Sequence, residues 1–144
     1  MDEVYAYALK LLRQRDYTMA RLREKLAAKF GPVPQEVIDQ LTRKNFLNDR
    51  RFAENYVAGR KDRGRRALNE ELMARGLATE LIDEVLSQAD WPSLREALAA
   101  KMTDLQVRAP LQSRDAARLF RALLRLGYDE DAIREEIEQL HEQQ

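Results

Sequence analysis

Arg60-Lys61-Asp62-Arg63-Gly64-Arg65-Arg66 is the segment of this chain best equipped for chemistry, setting five positive charges against one negative. Guanidinium groups pair in two-point fashion with phosphate or carboxylate. The segment also runs into the start of a helix, whose unpaired N–H groups favour anions. The residues alone leave two readings open. The turn meets nucleic-acid phosphates or an acidic partner surface, or it is a solvated, charge-rich turn.

A second basic feature is Arg114, Arg118, Arg121 and Arg125, recurring at steps of 4, 3 and 4. At about 100° per residue they share one helix face, opposite Ala116, Leu119 and Leu123. With no acid among them they repel one another, unless an anion or neighbouring acids neutralise the stripe. Asp115 and the acidic last helix are the internal candidates, and a phosphate is the external one. Arg21, Lys25 and Lys29 form a comparable flank on an earlier helix, with Arg13 and Arg15 nearby.

Other chemistry is not provided for. Cysteine is absent, and the one histidine is His141, close to the C-terminus. A zinc site or a histidine base is therefore not expected. No Walker pattern, HExxH or GxSxG occurs, and no pair of carboxylates has a reason to be buried and tuned. The expectation is a protein without catalytic residues, metal or cofactor. Tyr5, Tyr7, Tyr17, Phe46, Phe52, Tyr56, Phe120 and Tyr128 fit buried helix faces or helix ends, which gives base stacking little weight. No apolar run approaches the ~20 residues of a membrane span. Asp2 and Glu3 oppose the basic start of a signal peptide. A cytoplasmic protein with no membrane partner is expected.

The net charge of zero conceals a polarity. Residues 1–66 hold 16 basic and 9 acidic side chains, and residues 67–144 hold 9 basic and 16 acidic. The acids concentrate toward the last helix, at Asp129, Glu130, Asp131, Glu135, Glu136, Glu138 and Glu142.

The elements that position these charges read as helices throughout, with no strand alternation. Val4, Ala8, Leu11 and Leu12 define the first. Thr18 caps a second, whose Met19, Leu22, Leu26 and Phe30 make a buried stripe. Gly31-Pro32-Val33-Pro34 breaks it, and Val37, Ile38 and Leu41 form the next face. Asn48 or Asp49 caps a fourth helix with Phe52, Ala53, Tyr56 and Val57 inward. Leu68, Leu72 and Met73 face the core of a fifth, closed by Gly76. Leu81, Ile82, Val85 and Leu86 mark a sixth. After Asp90-Trp91-Pro92, Ser93 and Glu96 have capping-box spacing, ahead of Leu94, Leu98 and Leu105. An eighth helix from Ser113 carries Ala116, Leu119, Phe120, Leu123 and Leu124 and ends at Gly127. Ile133, Ile137 and Leu140 complete a ninth.

The pattern repeats. Leu72 to Leu86 aligns with Leu123 to Ile137 at an offset of 51, glycine on glycine. The expected architecture is all-α, with three tandem three-helix repeats resembling helix-turn-helix units, at 1–47, 48–89 and 90–144. Units of roughly 45 residues gain stability by stacking on neighbours, so an elongated, curved array is expected.

Asn48-Asp49-Arg50-Arg51-Phe52-Ala53, then Tyr56-Val57, Arg60, Gly64, Glu71-Leu72, Arg75-Gly76-Leu77 and Ile82 carry a family likeness. The chain resembles RecX, the bacterial modulator of the RecA recombinase. Tyr17-Thr18-x-x-x-Leu22-x-x-Lys25-Leu26 is similar to the family's opening repeat, and Leu123 to Tyr128 through Ile133 to its closing motif. The resemblance implies the three-repeat fold and a partner, the RecA filament on single-stranded DNA. Proteins similar to RecX lie along the filament groove and suppress ATP hydrolysis and strand exchange, in recombination, repair and the SOS response. Some members also bind DNA, so single- or double-stranded DNA is a further expected partner. A monomer is expected. The positions put forward for contact are Arg60, Lys61, Arg63, Arg65 and Arg66, then Arg114, Arg118, Arg121 and Arg125, with Arg21 and Lys25 on the first flank. The alternatives are an independent DNA-binding protein of tandem helix-turn-helix-like units and a protein-only helical scaffold.

Overall fold

The computed structural model describes residues 2–142. Met1 and the two C-terminal glutamines, which bound the expected first and third units, lie outside the described residues. So does the side chain of Glu142, counted above with the acidic tail. The described residues form nine α-helices and no strand: α1 (Asp2–Gln14), α2 (Met19–Phe30), α3 (Gln35–Arg43), α4 (Asp49–Ala58), α5 (Arg65–Ala74), α6 (Thr79–Gln88), α7 (Leu94–Leu105), α8 (Ser113–Arg125) and α9 (Glu130–Glu142). A single 3-10 turn, Lys61–Arg63, precedes α5. The all-α expectation is met.

Local chemistry accounts for most of the helix ends. Thr18 and Asn48 accept the N–H of Arg21 and Arg51 as N-caps. Ser93 and Glu96 close a capping box on α7. At the other end, α5 and α8 finish alike. The N–H of Gly76 bonds the Met73 carbonyl and that of Leu77 the Leu72 carbonyl; Gly127 and Tyr128 repeat this on Leu124 and Leu123. This doubly bonded stop needs a left-handed residue, and both glycines have φ near that region, at 82° and 100°. Asn45 and Gln106 supply the same stop after α3 and α7.

Chain contacts gather into two compact units. One runs from the N-terminus to Gly59 and includes Asn69–Ala89; the other comprises Arg60–Leu68 and the chain from Asp90 onward. In the first, a core forms around Ala8, Leu22, Leu26, Val37, Ile38 and Leu41, all almost fully buried. In the second, α7, α8 and α9 pack together around Leu98, Leu111, Leu119, Leu123, Ile133 and Ile137. Two expected inward residues point outward instead. Met73 is 51% and Leu124 44% exposed. Each follows a fully buried leucine, Leu72 or Leu123, and one step along a helix turns the side chain by about 100°. The apolar stripe is therefore one residue narrower than the composition suggested.

Within the first unit, the start of α2 is held by residues distant in sequence. Thr18 is the sole buried polar side chain among the described residues. Its hydroxyl accepts from Arg21 N–H at 3.2 Å and donates to the Arg75 carbonyl at 2.8 Å. Asp49 accepts the Met19 N–H at 2.8 Å, so two of the unpaired donors at the helix start are satisfied. Thr18→Val removes both hydroxyl bonds and strands a carbonyl. It is expected to lower stability by about 2 kcal/mol, read as a fall in urea midpoint. Thr18→Ser, which keeps the hydroxyl, is the control, and an equal loss in both would place the effect elsewhere.

Candidate functional site

The basic turn is closed by backbone hydrogen bonds. Arg63 N–H bonds the Arg60 carbonyl, and Gly64 N–H bonds the Lys61 carbonyl. Gly64 is buried with φ 83° and ψ 162°, a region open essentially to glycine alone. A Cβ there would lie 2.9 Å from the Leu126 Cα. The turn is thus seated on the residue that follows Arg125, so within the second unit it meets the C-terminal end of the arginine stripe.

Arg65 and Arg66 occupy the first turn of α5, which holds no acid. Positive charge at a helix N-terminus opposes the macrodipole by about 0.3–1 kcal/mol per charge. Both side chains are exposed, and neither they nor Lys61 has an ion-pair partner among the described residues. Arg63 is exposed, while Arg60 is half-buried; both have interactions of their own.

On α8 the stripe faces away from Ala116, Leu119 and Leu123, which are buried. Arg118 pairs with Asp115 at 3.5 Å. Arg114, Arg121 and Arg125 are exposed and have no ion-pair partner among the described residues. Of the two internal sources of neutralisation, Asp115 therefore reaches one arginine. The acids at the start of α9 turn to Arg134 instead, Glu130 at 2.7 Å and Asp131 at 3.9 Å, while Glu136 pairs with Arg95 at 3.1 Å.

Arg21 and Lys25 belong to the first unit, the basic turn to the second. They line a cleft of about 400 Å³ with Arg15, Tyr17, Phe52 and Arg75. Arg15 lies over the Tyr17 ring at 4.9 Å and Arg75 over Tyr56 at 4.5 Å. Arg21 also donates to the Ala74 carbonyl at 3.3 Å. The sequence reading took Arg75 only as part of the family motif and not as a site residue, because its charge comes into the cleft through the fold rather than through a run of basic residues.

A second cleft, of about 540 Å³, lies in the second unit beside the basic turn and includes Lys61, Arg65, Trp91 and Tyr128. Tyr128 O–H donates to the Pro92 carbonyl at 2.6 Å. Burial, and then the charge of Glu96, push its pKa above the ordinary phenol value. Sequence reasoning took Trp91 only as part of a helix break. No group of three or more acids and histidines suited to a metal occurs among the described residues. No helix among them is long and apolar enough to cross a membrane.

Similarity to known proteins bears on this arrangement. The model of the second three-helix domain of RecX matches residues 48–86, the segment that leads into and out of the basic turn. A regulatory protein RecX of Trichlorobacter lovleyi is 36% identical over 144 aligned residues, covering 93% of each chain. The chain belongs to the RecX family. A RecX regulatory protein of Thermus thermophilus is 42% identical over 100 residues, 68% of each chain. The crystal structure of RecX from Lactobacillus salivarius superposes with a TM-score of 0.76 at 20% identity, covering 96% of both chains. At that identity the likeness speaks for the RecX fold.

Proposed function

We propose that this protein is a non-enzymatic regulator that binds the RecA filament on single-stranded DNA and restrains ATP hydrolysis and strand exchange. It acts as a cytoplasmic monomer, built as three successive three-helix units at 1–47, 48–89 and 90–144. The basic turn is the first contact and the α8 stripe the second, with Arg21 and Lys25 contributing from the first unit.

One observation supports this reading most. Lys61, Arg65 and Arg66 stand without ion-pair partners among the described residues, at a helix start that no acid balances. In the free protein that arrangement is unfavourable, and an anion placed there relieves it. A filament assembled on single-stranded DNA carries phosphates at regular spacing.

The test is RecA-driven ATP hydrolysis on single-stranded DNA with this protein titrated below the RecA concentration. Hydrolysis is expected to fall well before one copy per RecA is reached, because each bound copy affects more than its own site. Unchanged hydrolysis on a filament verified as assembled would count against the proposal.

A further inference from the structure

The cleft beside the basic turn has a composition that selects its occupant. Trp91, Pro92, Ala97, Ala100, Leu126 and Tyr128 supply apolar and aromatic surface. Lys61, Arg65 and Lys101 share the lining with Asp62, Glu96 and Asp104. Its volume of about 540 Å³ falls within the roughly 300–1,000 Å³ of small-ligand clefts. Both halves of that lining must be satisfied by whatever enters.

An aliphatic side chain satisfies only one half. Seating it would draw water from charged groups and return no partner to them. A bare phosphate satisfies only the cations. A nucleotide satisfies all three kinds of wall. Its base plane stacks on an aromatic face, its phosphate accepts from lysine and arginine, and its exocyclic amino and ring N–H groups donate to carboxylates. A base must be unstacked to enter a cleft, which a single strand allows without cost in base pairing.

We infer that the Trp91 cleft takes one unstacked base of a single-stranded nucleic acid, with its phosphate on Lys61 and Arg65. The inference deepens the filament reading, since the same turn lines both. It rests on different residues, the aromatic and apolar walls. The small weight that sequence reasoning gave to base stacking came from aromatics that fit helix faces, and Trp91 lies on no helix. Tyr128 closes the cleft from the loop after α8, its ring held by the bond to Pro92.

Trp91 is the chain's one tryptophan, so its emission reports on this cleft alone. The experiment titrates the full chain with short oligodeoxythymidylate, with an abasic oligomer of equal length, and with thymidine monophosphate. Stacking of one base contributes roughly 5- to 150-fold in affinity. Oligothymidylate is therefore expected to bind at least fivefold more tightly than the abasic strand and to quench Trp91, which the abasic strand leaves bright. Ala100→Phe, at an exposed position of α7, adds bulk to the cleft lining and leaves the Trp91 residue itself in place. It is expected to abolish both the quench and the preference at unchanged helicity.

Equal binding of the two oligomers with unchanged emission would overturn the inference. Quenching by the mononucleotide as strong as by the strand would assign the cleft to a free nucleotide and overturn it too. A quench that survives Ala100→Phe would place stacking outside the cleft. RecA hydrolysis measured in parallel separates this idea from the functional proposal. Inhibition with an unquenched Trp91 sinks only the base cleft, and quenching without inhibition sinks only the filament role.

Discussion

Gly64→Ala is expected to destabilise the protein by about 3 kcal/mol, from a backbone term and a contact term of about 1–3 kcal/mol each. The backbone term arises because φ 83° with ψ 162° is a conformation that a Cβ makes unfavourable. The contact term arises because the added methyl would meet the Leu126 Cα at 2.9 Å and its carbonyl oxygen at 3.0 Å. Both are backbone atoms and cannot swing aside. For a chain of this size the loss corresponds to a fall of roughly 6–12 °C in melting temperature, measurable by circular dichroism at 222 nm. Gly31 isolates the two terms. It has φ 79° and ψ −151°, equally reserved for glycine, but nothing lies within 4 Å of a Cβ built there. Gly31→Ala should therefore show the backbone term alone. A Gly64→Ala protein that melts no lower than Gly31→Ala would mean that Leu126 does not press on the turn.

That contrast also shows what a sequence can reveal. Thr18, Asn48, Ser93 with Glu96, Gly76 and Gly127 were all legible, because a cap or a stop is decided within a few residues of chain. The stops at Asn45 and Gln106 were harder, since each is a left-handed turn made by a residue that does not require one. Asp49 was read as a possible cap of its own helix. In the fold Asn48 does that, and Asp49 serves the start of α2, thirty residues earlier. Nothing in local spacing encodes that choice. The same holds for the site. Runs of arginine identified the turn and the stripe, because charge density is a sequence property. Arg75 and Trp91 were not recognised as cleft residues, because a cleft wall is assembled from side chains that meet only after folding. Gly64 was read as part of the basic turn and of the family motif; its close seating on Leu126 belongs to tertiary packing.

Removing charge from the turn tests the proposed contact without disturbing that seating. Arg63, Arg65 and Arg66 changed together to alanine should weaken filament inhibition roughly tenfold to a hundredfold, as expected for losing several charge-assisted contacts. The double change of Arg65 and Arg66 to alanine, which leaves Arg63 and its interactions in place, should raise stability or leave it unchanged. Arg65 and Arg66 oppose the α5 dipole and have no ion-pair partner among the described residues, and alanine is a better helix residue. A variant as stable as the parent but a poorer inhibitor would mark residues kept for contact rather than folding. Salt dependence then separates the kinds of anion. Contacts to single-strand phosphates release about 0.7 counterion per charge, so the slope of log affinity against log salt should drop by about 2 in the triple variant. A loss of inhibition with the slope unchanged would assign these arginines to carboxylates on the protein part of the filament. Full inhibition by the triple variant would take the turn out of the contact surface, leaving the α8 stripe to carry it.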